Sequence, residues 1–444
     1  MLQKYKEHYK YIIKLGVPIV IGQIGVVLVG FIDNIMVGRF ATEDLATASF
    51  VNNLFNIAVL FGFGFAYGLT PLVGSSYGGG DNKSLGFLLK NSLLLNFIIG
   101  IFLSFVMFIV WLNVEKLRQP QELIPLVKPY FLLHIISMPF LMLFNSLKQF
   151  FDGITDTKTP MYIMLIANAI NVVFNAILIY GVGPIPALGV FGAGLSTLFS
   201  RIFMFVALAY IFFNSKKFSI YKESYQNAFI RKEEFLKLNK MGWMIGLQMG
   251  METALFSLTA VMIGWLGKIE LAAHQVLVTL STLGFMVYYG VGAAVAVRVS
   301  NYCGRKDIKN IRLTVNAGFQ IILLLALFTS ILFLLIRTKV GYLFTEDVAI
   351  VDIVSMLLFT LVAYQIGDGL QITFANALRG ISDVVAMAII SFIGYFLIAI
   401  PTSYFCGFVL GWGIQGVWIG YPLGLTLTGV IMWLRFRGVL KTPL

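Results

Sequence analysis

Three carboxylates, Asp33, Glu252 and Asp368, stand inside long apolar stretches of this 444-residue chain. An acid at the centre of a membrane helix costs about 2.5–3.5 kcal/mol on insertion scales, so an idle one is hard to explain. Tyr364 lies four residues before Asp368 and Gln371 three after, which places all three on one helical face. Gln248 stands one turn before Glu252 in the same way. Two carboxylates among hydroxyl and amide oxygens make a hard-oxygen site, suited to Na+ or to a shared proton. No Lys or Arg within a span is predicted beside them to neutralise the pair. Asn168, Asn171 and Asn175 recur at i, i+3 and i+7. Such a stripe either joins helices, at about 0.6–2 kcal/mol per bond, or serves a site with Asp33. Phe285, Met286, Tyr288 and Tyr289 offer either a packed core or an aromatic face for a cation.

The elements that must hold these residues are duplicated. Residues 15–81 recur at 241–307 with an unbroken shift of 226: Gly38 becomes Gly264, Gly64 becomes Gly290, and Asp81 becomes Asp307. Further on, Gly153-Ile-Thr-Asp156 answers Gly380-Ile-Ser-Asp383, and Gly189-(x)2-Gly192 answers Gly413-(x)2-Gly416. The acids do not follow the repeat, since Asp33 corresponds to Thr259, Glu252 to Val26 and Asp368 to Leu141. They belong to specialised sites, one in the first half and two in the second.

Hydrophobic residues make up 59% of the chain, charged ones 12%, and mean hydropathy is +0.89. Soluble domains carry about 25% charged residues, so this is an integral membrane protein. Runs of about 20 apolar residues predict twelve spans. Six lie near 11–37, 47–74, 85–112, 123–150, 160–182 and 188–213; six more lie near 239–264, 271–299, 309–336, 348–378, 384–407 and 411–435. An even number per half means the halves enter the membrane in the same sense, related by a pseudo-twofold axis along the membrane normal. The predicted fold is therefore all-α, with twelve transmembrane helices in two six-helix lobes. Its domains are an N-terminal lobe 1–213, a polar cytoplasmic linker 214–238 and a C-terminal lobe 239–444.

The net charge of +12 reads as topology rather than as a nucleic-acid footprint. With a cytoplasmic N-terminus, 24 Lys and Arg fall on inner segments and seven on outer ones: Arg39, Lys116, Arg118, Lys128, Lys268, Arg337 and Lys339. Arg201 alone sits within a span. The positive-inside rule then places both termini in the cytoplasm. The first span lacks a following small-residue cleavage site and is expected to be retained. Cys303 and Cys406 fall at opposite ends of their spans, against a disulfide. No CxxC, HExxH or GxxxxGK[ST] pattern occurs, and His8, His134 and His274 are isolated; metal-thiolate, zinc-protease and ATP-driven chemistry are excluded by motif.

Together these residues resemble a known family. Asp33-Asn-Ile-Met-Val-Gly38, Asp152-Gly-Ile-Thr-Asp-Thr-Lys-Thr-Pro160, Asn171-(x)3-Asn175 and Leu378-Arg-Gly-Ile-Ser-Asp383 are similar to segments of the multidrug and toxic compound extrusion (MATE) transporters. Gln248-(x)3-Glu252 with Tyr364-(x)3-Asp368 is similar to the NorM-like branch, in which cation exchange drives efflux. The resemblance implies a V-shaped pair of lobes around a cleft that alternates sides. It implies that Glu252, Tyr364 and Asp368 hold the coupling Na+, and that Asp33, Asn171, Asn175 and Thr197 form an N-lobe polar site for a proton or Na+. It also implies a drug cleft at Gln275, Phe285 and Asp347, to which Tyr289 is added as an aromatic face. One departure is Asp383-Val-Val-Ala, which lacks the proline of its first-half counterpart.

The function expected is secondary active efflux, in the bacterial cytoplasmic membrane, of cationic amphipathic drugs and dyes in exchange for Na+. The protein is expected to act as a monomer with no cofactor and no nucleic-acid partner. Alternatives are an H+-coupled drug antiporter of the same family and a flippase for lipid-linked oligosaccharides. The flippase should line its cavity with Arg and Lys. An intramembrane enzyme lacks its Ser–Lys, Asp–Asp or His–Glu motif, and a channel should show like residues from both repeats.

Overall fold

The computed structural model describes residues 2–117 and 120–441, the side chains of residues 2, 3 and 283 excepted. Arg118, one of the charges assigned to the outer side, lies outside the described residues. The described chain is helical throughout, with a lone bridge between Val182 and Ile185. In order the helices are α1 (Leu2–Phe40), α2 (Thr42–Ala66), α3 (Leu69–Gly78), α4 (Asn82–Leu112), α5 (Ile124–Gly153), α6 (Lys158–Tyr180) and α7 (Gly189–Asn214). They continue as α8 (Ser219–Asn227), α9 (Lys232–Leu266), α10 (Lys268–Gly304), α11 (Ile308–Leu335) and α12 (Val348–Gly380). Last come α13 (Val384–Phe392), α14 (Ile400–Tyr404) and α15 (Gly413–Val439).

Among the described residues twelve helical segments are long and apolar enough to cross a membrane, as predicted. Only a helix satisfies every backbone group within its own segment in hydrocarbon, which is why these runs take no other form. Several overshoot their predicted ends. At about 1.5 Å per residue, the 39 residues of α1 reach about 58 Å, well beyond the hydrocarbon thickness. The polar stretch 214–238 is also largely helical: it holds α8, and α9 begins within it at Lys232. Glu233 and Glu234 in that first turn favour a helix start through the macrodipole.

The duplication seen in the sequence is written into the backbone. Asp81 caps α4 by accepting from the Ser84 N–H at 3.1 Å, and Asp307, 226 residues later, caps α11 by accepting from Asn310 N–H at 3.0 Å. The left-handed turn at Gly80 (φ 76°) has its partner at Lys306 (φ 56°), and Thr155 (φ 67°) has Ser382 (φ 63°). Gly189 (φ 55°) likewise matches Gly413 (φ 58°). One difference between the halves concerns the eleventh span. After α13 it runs as π-helix over Ile393–Ala399 and again over Phe405–Val409, whereas its counterpart α6 is α-helical from end to end. A π turn shifts the phase of the residues after it, and such turns are frequent at functional sites.

The chain packs as two compact units, Ile21–Gly246 and Met1–Val20 with Leu247–Leu444. Both cuts fall inside a helix, and they too are 226 residues apart. The first portion of α1 thus packs in the unit of the second half, and the first portion of α9 in the unit of the first half. Small residues make both contacts possible, because they let backbones approach closely. A Cβ on Gly16 of α1 would meet the Gly290 carbonyl of α10 at 3.3 Å; a Cβ on Gly64 of α2 would meet Gly246 Cα of α9 at 2.7 Å. In the unit that holds the start of α1, His8, read from the sequence as a tail residue, is buried with its Nδ1 3.0 Å from Thr314 Oγ1. Pro18 sits two residues before the cut in α1, where it removes a backbone hydrogen bond from the helix.

The second glycine of each Gly-(x)2-Gly repeat sits at a tight seam. A Cβ on Gly192 would lie 2.5 Å from the Leu178 carbonyl of α6, and one on Gly416 would collide with the Cys406 carbonyl. Gly30 has nothing within 4 Å of its Cβ position. Gly192→Ala and Gly416→Ala are therefore expected each to lower stability by about 1–3 kcal/mol through overpacking. Gly30→Ala should be neutral or slightly stabilising, because alanine is the better helix former. Thermal melts of the three purified variants in detergent check this; equal melting of all three would refute the seam assignment.

Candidate functional site

The second-half unit gathers the polar groups of α9, α12 and the π segment. Gln248 and Glu252 are one turn apart on α9, and Gln248 Nε2 donates to Glu252 Oε2 at 2.8 Å. Asp368 on α12 is 2% exposed, and the charge of Glu252 acts on it directly. Tyr364, one turn earlier, lies in the field of both acids and beside Ser281 of α10. The predicted trio of Glu252, Tyr364 and Asp368 is thus brought together. Tyr364 is steadied by rings from two other helices: its centroid is 6.3 Å from Phe256 and 6.0 Å from Tyr421, and Phe256 stacks on Tyr421 at 5.0 Å.

Two residues of this cluster escaped sequence reasoning. Tyr395, fully buried on the π segment, accepts at its hydroxyl from Gln371 Nε2 at 2.7 Å. Arg379 corrects the expectation that no basic residue attends the acids. The sequence reading placed Arg379 in a loop, but it occupies the last turn of α12 and is buried. Its Nη2 donates to Gln248 Oε1 and its Nη1 to Asn376 Oδ1, both at 3.4 Å, and its charge acts on Glu252. A basic side chain in a last turn also suits the helix dipole, which is why the apolar pattern carries α12 past its predicted end.

Two oxygens of the cluster, Asp368 Oδ2 and Gln371 Oε1, are buried with no hydrogen-bond partner among the described residues. A buried polar atom normally finds a partner, so these two are acceptors available to a cation. All the convergent donors are oxygens, the set that hard monovalent cations take. Beside them Gln365 Oε1 accepts from Thr329 Oγ1 at 2.7 Å, Tyr288 Oη at 3.3 Å and Ser330 Oγ at 3.4 Å. Tyr288 is therefore a buried part of this polar knot, not an open aromatic face as the sequence allowed. Phe285 and Tyr289 remain half-buried with ring centroids 5.9 Å apart. Gln275 is exposed on α10; Asp347 is exposed too and caps α12, its Oδ1 accepting from Ala349 N–H at 2.9 Å.

The first-half unit holds its own site. Asp33 Oδ1 on α1 accepts from Asn175 Nδ2 at 2.5 Å, and the same amide nitrogen is 3.2 Å from Asn171 Oδ1. Both asparagines are buried on α6. Asn168, the third of the stripe, turns elsewhere: its Nδ2 would lie 2.9 Å from a Cβ on Gly25 of α1, so only glycine leaves it room. Arg201 on α7 is within coulombic reach of Asp33, donates from Nη1 to Ser137 Oγ at 2.6 Å, and lies over the Phe55 ring at 5.2 Å. Thr197, one turn before Arg201, is half-buried.

Comparison with known proteins agrees with this arrangement. A family profile described as MatE matches the chain twice, over residues 18–177 and 245–405, once in each repeat. The multidrug resistance protein NorM of Vibrio parahaemolyticus is 30% identical over 448 residues, covering 98% of this chain and 96% of that protein. NorM of Photobacterium profundum is 28% identical over 446 residues, covering 99% and 97%. Among solved structures, one titled a crystal structure of MATE in the bent conformation superposes with a TM-score of 0.90 at 19% identity, covering 99% of this chain and 97% of that one. The chain belongs to the MatE family and is a multi-pass membrane transporter, not an enzyme.

Proposed function

We propose that this transporter is a multidrug efflux antiporter of the bacterial cytoplasmic membrane, exporting cationic amphipathic compounds in exchange for Na+. Its termini are assigned to the cytoplasm, its lobes to residues 1–213 and 239–444, and it acts as a monomer. The reading is supported by the names of the NorM and MdtK relatives. The observation that carries Na+ coupling is the buried oxygen cluster of Glu252, Tyr364 and Asp368 with its two unpartnered acceptors. The logic is competition: inorganic and organic cations favour opposite-facing states, and coupling needs only a difference of affinity between those states.

H+ coupling is favoured by a different observation, the bond of Asp33 to Asn175 in the other unit. A carboxyl held by one amide can load and release a proton without rebuilding a coordination shell. The flippase reading loses ground because each buried base stands beside an acid. Lys148 pairs with Asp152 at 2.8 Å, Arg201 lies near Asp33, and Arg379 reaches Glu252 through Gln248. These three bases are thus answered by acids rather than left to bind pyrophosphate.

Three outcomes test this function. In energised vesicles with separately imposed Na+ and pH gradients, Asp368→Asn or Glu252→Gln is expected to abolish Na+-stimulated dye efflux while the protein still inserts. Undiminished stimulation in both variants would sink the Na+ site. Asp33→Asn is expected to cripple export yet leave Na+ binding by calorimetry intact, because its site lies in the other unit; lost Na+ affinity would mean that one merged site serves both roles.

The third outcome concerns substrate charge. In the second-half unit Glu252 and Asp368 against Arg379 leave a net negative field, and the half-buried Phe285 and Tyr289 add apolar faces. Cells expressing the protein should resist lipophilic cations such as ethidium-like dyes and cationic fluoroquinolones more than neutral or anionic compounds matched in size and lipophilicity. Equal protection across such a panel would show that the acids take no part in choosing the substrate.

A further inference from the structure

The end of α12 that carries Arg379 has a counterpart 227 residues earlier, where α5 carries Asp152. There the charge is answered inside its own helix, Lys148 Nζ donating to Asp152 Oδ2 at 2.8 Å. The next equivalent acids are also paired, each with a base distant in sequence: Asp156 with Lys217 at 2.6 Å and Asp383 with Arg435 at 2.8 Å. Arg379 carries the opposite sign at the shared position, and its reach is toward α9. Between it and Glu252 stands the Gln248 amide, with its oxygen toward the cation and its nitrogen toward the anion, at 3.4 and 2.8 Å. That is how an amide dipole sits when two opposite charges hold it in place.

We propose that Arg379 is the built-in counter-charge of the second-half acid pair and determines which cations the site accepts. The inference rests on the Na+ reading of this site. With Glu252 and Asp368 ionised, Arg379 leaves the cluster one negative charge, which a single monovalent cation neutralises. Without it the cluster carries two, and a divalent cation becomes the better match, since Ca2+ affinity rises with the charge count of the ligands. Arg379 is a positioning residue that acts through Gln248 and through its field. In a partly buried setting, removing that field should tighten cation binding by about ten-fold.

The test is equilibrium binding of 22Na+ to purified protein in lipid nanodiscs, with Ca2+ as competitor, in wild type, Arg379→Gln and Arg379→Lys. Arg379→Gln is expected to bind Na+ about ten-fold tighter and to yield it to Ca2+ at concentrations about ten-fold lower or less. Arg379→Lys, which keeps the charge, should stay close to wild type in both. Arg379→Met, similar in length, repeats the comparison if the Gln variant fails to insert. A merely structural role predicts weaker binding in every neutral variant and no change in cation preference, and that result overturns the proposal. So does a Lys variant that behaves as the Gln variant does. Absence of saturable Na+ binding in the wild type is a different failure, that of the Na+ reading itself.

Discussion

A charge buried among these helices must be answered by another polar group, and much of the architecture follows from that requirement. An ionised carboxylate taken out of water loses hydration that only an opposite charge, several hydrogen bonds or a bound cation can replace. Asp33 has an asparagine pair and an arginine within reach, and Glu252 has an amide backed by an arginine. Asp368 is the exception: buried, acted on by a like charge, and with one oxygen left open among the described residues. A carboxylate in that position is completed by a cation, which is the physical basis of the coupling site proposed above.

Duplication supplies the frame for this asymmetry. Helix caps, left-handed turns and glycine seams recur at shifts of 224–227, so each half meets the same geometric demands with the same devices. A repeated frame needs no repeated chemistry, because a side chain within a packed helix bundle can change without moving the backbone. The halves diverge where polar groups are placed. The first half puts an acid on its opening helix and amides on α6; the second puts acids on α9 and α12 and breaks the eleventh span with π turns. Those turns bring Tyr395 to Gln371, and the helix at the matching place in the first half carries Asn171 and Asn175 instead.

The span count, the repeat and the identity of the acids were legible because they depend on composition and spacing alone. The trio of Glu252, Tyr364 and Asp368 was legible for the same reason: helical period puts Tyr364 and Asp368 on one face, and an intramembrane acid is conspicuous. Arg379 was not, because it follows a hydrophobic run and precedes Gly380, the pattern of a loop at the membrane surface. Nothing local reveals that α12 carries it into the packed end of the bundle. Tyr395 was hidden for another reason. It lies in an apolar run of ordinary appearance, and a π turn shifts the register that a 3.6-residue period would assign. Tyr288 looked like part of an aromatic face, and only the tertiary fold shows Gln365 and Thr329 waiting for its hydroxyl.

Charge accounting links the two sites to different tasks. In the first-half site, Asp33 and Arg201 sum to zero when both are ionised, so the site is balanced without a guest and a proton or a bound cation tips it positive. In the second-half site, two acids and Arg379 sum to one negative charge, so it is balanced only when a monovalent cation is present. A transporter that must bind a cation in one state and release it in the other gains from having both kinds. By this accounting the proposed affinity for a coupling ion lies in the unbalanced site, while a proton on Asp33 leaves Arg201 as the net charge of the balanced one.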